Sequence, residues 1–496
     1  MTVGVTTQIE RRPAVRPKHR IGGFLRLFDF GKWTIPTTAW LAHVFLLHFT
    51  RTNDPLTATI AIWLALFLAT YVANRGVIPV PGIAYPIITA FIGLAFTLPY
   101  LADQLLAARL PGLVSTLVFP LAWVVVEFIS ARTNPFGTWG SIAYTQYGNH
   151  SLMQLASVTG IWGITFLIAW FGSTVNWIWD SPFEWEVVQT GSLAYGATWS
   201  LVILAGEARL VFIRLARTVR IAVIGWPDGI LEPDEIMGVF DSQLPDKVRE
   251  PLRKAFRELQ DYFLEDSERE ARAGAKIVVW PEASLMVFQE DEASFMERAK
   301  QLAREERTYL LMGMATIRLG DSRPAENKAV LISSSGEIAY SYIKSRPVPG
   351  WEARINVPGD GRILTHDSQH GRVASAICYD MDFPQLIRQV GDARIDTILV
   401  PASDWQTIKQ LHHVLATFRA IENGVSMVRA ARWGLSAAVD PLGRTVATMD
   451  HFSTAHRVMI AYIPVAGVRT LYTRIGDLFA WLCVAGLLGT VVWGVR

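Results

Sequence analysis

Apolar residues dominate six stretches in the first part of the chain, near 34–50, 55–74, 77–101, 111–131, 153–179 and 190–206, and a seventh near 475–494. A helix needs ~20 mostly apolar residues to cross the hydrocarbon of a bilayer, so each stretch predicts a membrane-spanning helix. Between about 218 and 465 the pattern changes to short apolar runs alternating with charged stretches, which predicts a mixed α/β domain. Strands are expected at 219–225, 276–280, 309–314, 329–333, 338–343, 373–377, 397–400, 426–430, 435–439 and 458–463, with helices over 248–273, 292–306 and 412–423. The chain thus divides into a basic N-terminal segment (1–32), a transmembrane helical domain (33–217), an α/β domain (218–466) and a C-terminal transmembrane helix (467–496).

Composition agrees with a membrane portion: 51% of residues are hydrophobic and the mean hydropathy is +0.26. The net charge of +2 gives no case for nucleic-acid binding. Arg11, Arg12, Arg16, Lys18, Arg20, Arg26 and Lys32 precede the first apolar stretch and read as a cytoplasmic flank near anionic lipid. That segment is too long and too polar for a cleavable signal peptide. The two cysteines, Cys378 and Cys483, fall in different domains, so no structural disulfide is expected. No Cys/His spacing suggests a metal and no Gly-rich phosphate loop occurs.

Three strand ends carry candidate chemistry. Cys378 closes the apolar run Val373–Ile377 and opens the turn Cys-Tyr-Asp-Met-Asp-Phe-Pro384; Glu282 follows Ile277-Val-Val-Trp-Pro281, and Lys344 follows Tyr340-Ser-Tyr-Ile343. A free thiol with a pKa of ~8.5 is mostly protonated at neutral pH, so it attacks a carbonyl only with a base or a positive charge beside it. Glu282 suits the base, and Lys344 suits stabilisation of an oxyanion, helped by the backbone N–H of Tyr379. Taken singly each has a plainer explanation: a small core cysteine, a strand-ending turn, a lysine that buries only its stem.

Together, Trp-Pro-Glu, Tyr-x-Lys and Cys-Tyr-Asp stand in the order and spacing of the nitrilase (carbon–nitrogen hydrolase) superfamily, and the flanking spans make the chain resemble its membrane-bound members, the apolipoprotein N-acyltransferases. The resemblance covers the soluble domain well and the membrane domain loosely. It implies a multi-span helical membrane domain joined to an α/β nitrilase-like domain, a four-layer α-β-β-α sandwich. It also implies catalytic Glu282, Lys344 and Cys378 with supporting Glu352, Tyr379 and Asp380, and no cofactor. Glu352 keeps the family's interval from the lysine, although Pro347, Gly350 and Trp351 depart from the family's loop. Asp380 replaces the family's glutamate, as in soluble amidases. His412 falls where the family has Gln-His, and Arg419 and Glu422 read as structural ion-pair partners. The aromatic stretch Phe136–Tyr147 is either an interfacial belt or a lipid-admitting surface, and the family favours the second.

The implied reaction moves a fatty acyl chain from a membrane phospholipid, through a thioester on Cys378, to the N-terminal amine of a diacylated lipoprotein, by a membrane-embedded monomer in the bacterial inner membrane. A membrane-tethered amidase with the same triad, or a non-catalytic binding module, are the competing readings. The family carries seven spans before an extracytoplasmic catalytic domain, whereas six stretches are countable here, unless 77–101 fuses two. Arg209, Arg214, Arg217 and Arg220 argue for the inside face by the positive-inside rule, and the resemblance argues for the outside.

Overall fold

The computed structural model describes residues 18–28, 31–181, 184–215, 217–231, 239 and 246–496. Arg11, Arg12 and Arg16 lie outside the described residues. Six described helices are long and apolar enough to cross a bilayer: Pro55–Ala73, Ala84–Arg109, Gly112–Thr133, Ile161–Asp180, Trp185–Phe212 and Leu478–Val495. The 17-residue helix Pro36–Thr52 packs among them. Asp54 starts the first of the six by accepting the Thr57 N–H at 2.9 Å, with Pro55 preset for the first turn. That helix turns Leu56, Ile60, Leu64, Leu68 and Val72 outward. A four-residue spacing of exposed leucine-sized side chains makes an apolar face that water would not tolerate and lipid does.

Two expectations for this region need correction. Residues 77–101 hold one helix, Ala84–Leu106, and no second span is hidden there; residues 77–83 are a loop and turn. Residues 153–179 are not one span either. Short helices at His150–Met153 and Ala156–Thr159 precede Gly160, whose φ of 65° breaks the chain before Ile161–Asp180 begins. A side chain at Gly160 would meet the Tyr472 ring at 2.7 Å, so both the conformation and the space require glycine.

The α/β domain contains β1 (Thr218–Ile224), β2 (Ile277–Val279), β3 (Leu285–Phe288), β4 (Tyr309–Ile317), β5 (Ala325–Ile332), β6 (Ile338–Ile343), β7 (Thr365–Ser368), β8 (Gly371–Ser375), β9 (Thr397–Ser403), β10 (Ser426–Arg432), β11 (Leu435–Val439), β12 (Thr445–Asp450) and β13 (Val458–Pro464). One sheet has the order β13-β1-β2-β4-β5-β6 with β3 on β4, and the other runs β12-β11-β10-β9-β8-β7. Val219, Ile221, Val223, Leu311 and Leu331 of the first meet Val373, Leu399, Val428 and Ala438 of the second in a shared core. Helices Asp246–Arg272 and Gln289–Glu305 cover the first sheet, the former presenting Leu252, Phe256, Leu259 and Phe263 at helical spacing. Helices Pro384–Asp392 and Lys409–Asn423 cover the second. The result is the four-layer α-β-β-α sandwich.

The helix Lys409–Asn423 has two jobs. One face packs Ala416 and Ala420 on the sheet, and the other sends Leu411, Leu415, Phe418 and Ile421 into the core of the membrane helices. Polar ties reinforce the junction: Tyr147 Oη lies 3.0 Å from His413 Nε2, and the Ile161 N–H donates to Glu422 at 3.1 Å. Arg419 pairs with Glu422 at 2.9 Å, the structural role their spacing suggests. Arg209, in the last turn of Trp185–Phe212, donates to Gln154, and Arg220 sits on β1 paired with Glu270 at 2.9 Å, so two of the four arginines between 209 and 220 are engaged within the fold.

Candidate active site

Glu282, Lys344 and Cys378 line one cavity of about 350 Å³ at the ends of β2, β6 and β8. Each leaves its strand where a sheet runs out. Glu282 hydrogen-bonds through its N–H to Ala402 of the opposite sheet at 3.3 Å, which fixes it across the inter-sheet seam. Gly313 lets this turn approach, since a Cβ there would lie 2.0 Å from the Pro281 carbonyl oxygen.

Cys378 has φ = 46°, a left-handed conformation that costs a non-glycine residue of order 1–3 kcal/mol. Asp380 supplies the compensation. Its Oδ2 accepts the Ile377 N–H at 3.0 Å and the Tyr342 hydroxyl at 2.8 Å, while Oδ1 accepts the Arg346 N–H at 2.8 Å. This carboxylate therefore ties the cysteine turn to the chain just beyond Lys344, and it is absent from the cavity lining. Burial raises the Asp380 carboxyl from 3.8 to about 6, against those hydrogen bonds. Tyr379 follows Cys378 in the same tight turn, and its hydroxyl donates to the Pro135 carbonyl at 2.7 Å.

Lys344 Nζ lies 2.8 Å from Glu282 Oε1 and 2.6 Å from Glu352 Oε1. Burial works against its charge, but the two carboxylates hold the ammonium's pKa well above its ordinary value. Glu352, on the short helix Trp351–Ile355, also accepts the Val348 N–H at 2.9 Å, so it is a half-buried partner of Lys344 rather than a free surface charge. Its own carboxyl is raised, by burial first and Glu282 next, against the pull of Lys344. Burial, then the charge of Glu282, push the Cys378 thiol up, while Lys344 and His412 pull it down.

Sequence reasoning missed Asn327, whose amide donates to Glu282 Oε1 at 2.7 Å. Starting the fifth strand at 329 instead of Ala325 left Asn327 in a loop with no reason to face the site. It also gave no role to His412, Asp404 and Asp382. His412 Nδ1 is 2.9 Å from Asp404 Oδ1, and Nε2 is 3.6 Å from Asp382 Oδ2. Among the described residues, the Cys378, Asp404 and His412 donor atoms lie within 4.8 Å of one another, close enough by distance alone for a metal ion. Arg429, however, stands 2.7 Å from the same Asp404 oxygen, and Lys344 and Arg432 line the cavity. With that much positive charge the group is a hydrogen-bonded cluster, not a ligand set.

A second cavity of about 500 Å³ lies among the membrane helices, walled by apolar side chains such as Leu66, Ile88, Phe91 and Phe96. Ile78, Phe136 and Trp139 line both it and a small void of about 30 Å³, which shares Pro79, Val348, Trp405 and His412 with the cysteine cavity. The aromatic stretch after residue 134 therefore stands between the two. Buried Glu127 fixes that stretch by accepting from Trp123, Ser141, Ile142 and Thr165 at 2.6 to 3.0 Å.

A two-sheet sandwich with a Cys/Glu/Lys cavity, carried on membrane-length helices, defines a membrane-bound protein of the carbon–nitrogen hydrolase type. Residues 256–472 match the carbon-nitrogen hydrolase family, and residues 22–174 match the apolipoprotein N-acyltransferase N-terminal domain. The chain belongs to the apolipoprotein N-acyltransferase family. It is 25% identical to the apolipoprotein N-acyltransferase of Geobacter metallireducens over a 502-residue alignment, covering 94% of this chain and 92% of that one. With apolipoprotein N-acyltransferase 2 of Treponema pallidum the identity is 24%, over 76% and 75% of the two chains. Among solved structures, an amidase from Nesterenkonia sp. shares 18% identity and a TM-score of 0.42, over 55% of this chain and 98% of the amidase.

Proposed function

We propose that the protein is an N-acyltransferase that moves a fatty acyl chain from a membrane phospholipid to the N-terminal amine of a diacylated lipoprotein, through a thioester on Cys378. Glu282 takes the thiol proton as sulfur attacks the ester carbonyl, and Lys344 with the Tyr379 N–H stabilises the oxyanion. The tetrahedral intermediate collapses with release of the lysophospholipid, whose oxygen takes the proton from Glu282, leaving the acyl thioester. The lipoprotein amine then attacks the thioester carbonyl and gives its proton to Glu282. The amide forms, and the departing thiolate recovers the proton. Asp380 holds the nucleophile's turn, and Glu352 holds Lys344.

The observation that carries this reading is the continuity of lining from the apolar cavity between the membrane helices to the cysteine. A soluble substrate has no need of an apolar cavity beside the cysteine, whereas an acyl chain seated there stays out of water. The site of action is a bacterial inner membrane with the catalytic domain on its outer face.

The test uses purified full-length protein in detergent. With radiolabelled phospholipid alone, mass spectrometry should find a fatty-acyl adduct on Cys378 and an equal amount of lysophospholipid. Adding a diacylated lipopeptide should discharge the adduct into a triacylated product. Continuous release of free fatty acid with neither adduct nor product, or cleavage of amides instead, would favour the membrane-tethered amidase.

A further inference from the structure

We propose that His412 is a positioning residue for the nucleophile: clamped between Asp404 and Asp382, its ring presents a fixed positive charge to the Cys378 sulfur and sets how readily the thiol ionises. This rests on the reading of Cys378 as the nucleophile and adds to it a partner outside the Glu–Lys–Cys set.

Geometry leaves the ring little choice. Nδ1 is committed to Asp404 Oδ1 at 2.9 Å, so Nε2 is left to serve Asp382 and the thiol. Asp382 Oδ2 has no hydrogen-bond partner among the described residues and lies 3.6 Å from Nε2. His412, Asp404 and Asp382 are all buried, so their charges are weakly screened by water. The ring cannot swing away, because Trp139 packs edge-on against it at 5.3 Å.

The groups around the ring favour its charged form. Asp404 reaches it from the end of β9, while Asp382 and Cys378 reach it from the turn after β8. Arg429 on β10 opposes, but it spends its charge on Asp404 at 2.7 Å. Neighbouring His413 is turned to Tyr147 and is pushed down to about 4, by burial and then Arg429. For His412 burial also works against the charge, yet Asp382 and Asp404 hold its pKa well above the ordinary imidazole value. Lys344, by contrast, is bound to two carboxylates, so the sulfur needs a second cation if it is to exist as a thiolate once Glu282 has its proton.

The test reads the thiol directly. The rate of Cys378 alkylation by iodoacetamide would be followed from pH 5 to 10 in the full-length protein, with peptide mass spectrometry separating it from Cys483. In His412→Gln the profile should move to higher pH, with the rate near pH 7 falling about tenfold for every pH unit that the profile moves and the high-pH plateau unchanged. Asp382→Asn should move it the same way by less, and serves if His412→Gln fails to fold. Profiles that superimpose on the parent protein's in a folded variant would overturn the proposal. The nucleophile assignment fails separately, if Cys378→Ser still transfers acyl groups.

Discussion

Thr138, on the loop between two membrane helices, gives both its backbone N–H and its hydroxyl to one acceptor, the carbonyl oxygen of Asp382, each at 3.0 Å. The loop from the membrane domain therefore holds the turn that begins with Cys378. Its neighbour Gly137 makes this possible, with φ = 57° and no room for a Cβ, which would lie 2.4 Å from the same carbonyl oxygen. Gly137→Ala should lift the loop off the turn and slow acyl-enzyme formation by at least ~10-fold, a cost set by misplacement of the reacting groups. Thr138→Val should retain the fold with a smaller loss. Wild-type rates of adduct formation in Gly137→Ala would show that the contact is dispensable.

Cys378→Ser should fold and form no adduct, since an alcohol is far less ionised than a thiol beside the same base. Glu282→Gln and Lys344→Ala should each cut the rate by ~100-fold or more, through lost proton transfer and lost oxyanion stabilisation. The check is a time course of lysophospholipid release for each variant.

Glu352→Gln separates holding Lys344 from reacting with substrate. With one of its two carboxylates gone, buried Lys344 should lose its proton more easily. A basic limb should then appear in the pH profile of adduct formation, below that of the parent protein. A uniform loss at every pH would point instead to a proton-transfer role for Glu352.

Asp380 predicts an acid limb. Because its carboxyl is raised to about 6, the folded state binds that proton more tightly than the unfolded chain does. The associated stability is therefore largest below about pH 4 and is lost as pH rises toward 6. Adduct formation should run the opposite way, since only the carboxylate can accept from Ile377, Arg346 and Tyr342 together. Thermal unfolding of Asp380→Asn should accordingly show the parent protein relatively more stable at pH 4 than at pH 7, and the acid limb near pH 6 should vanish in the variant. An acid limb that persists unchanged would assign it to another group.

Sidedness is checked on intact spheroplasts. A membrane-impermeant thiol reagent should reach Cys378 from outside, while a reporter fused after Arg496 should be cytoplasmic. Labelling only after lysis would put the domain inside.

Where hydropathy governs structure, the sequence was legible. Six of the seven apolar stretches became single helices and the remaining one, 153–179, is broken at Gly160, while ten expected strands correspond to observed ones, because burial on one or both faces leaves a pattern in the chain. The unread strands are those with a weaker imprint. β7 and β12 are mostly solvent-facing edge strands, and β3 is four residues that extend the sheet only because β4 runs on to Ile317. The break at Gly160 was hidden because hydropathy is continuous across it, and only the approach of Tyr472 makes it necessary. For the site, Glu282, Lys344 and Cys378 announce themselves at strand ends. Asp380 was singled out as a supporting residue, yet its work in bracing the turn depends on Tyr342 and Arg346, which only the fold brings to it. His412 shared the same fate, since its two carboxylate partners come from different strand ends.

The pairing of β1 with β13 has a consequence for how the chain is made. Thr218 lies opposite Pro464, and the Val465 N–H donates to Arg217 at 3.0 Å, so the α/β domain leaves and rejoins the membrane at a single doorway. During synthesis the helices before residue 213 emerge first, and β1 gains its outer neighbour only when the ribosome has passed residue 464. The membrane-length helix Leu478–Val495 thus follows closely on the strand that shuts the sheet, so closure of the sandwich and insertion of that helix are neighbouring events in translation.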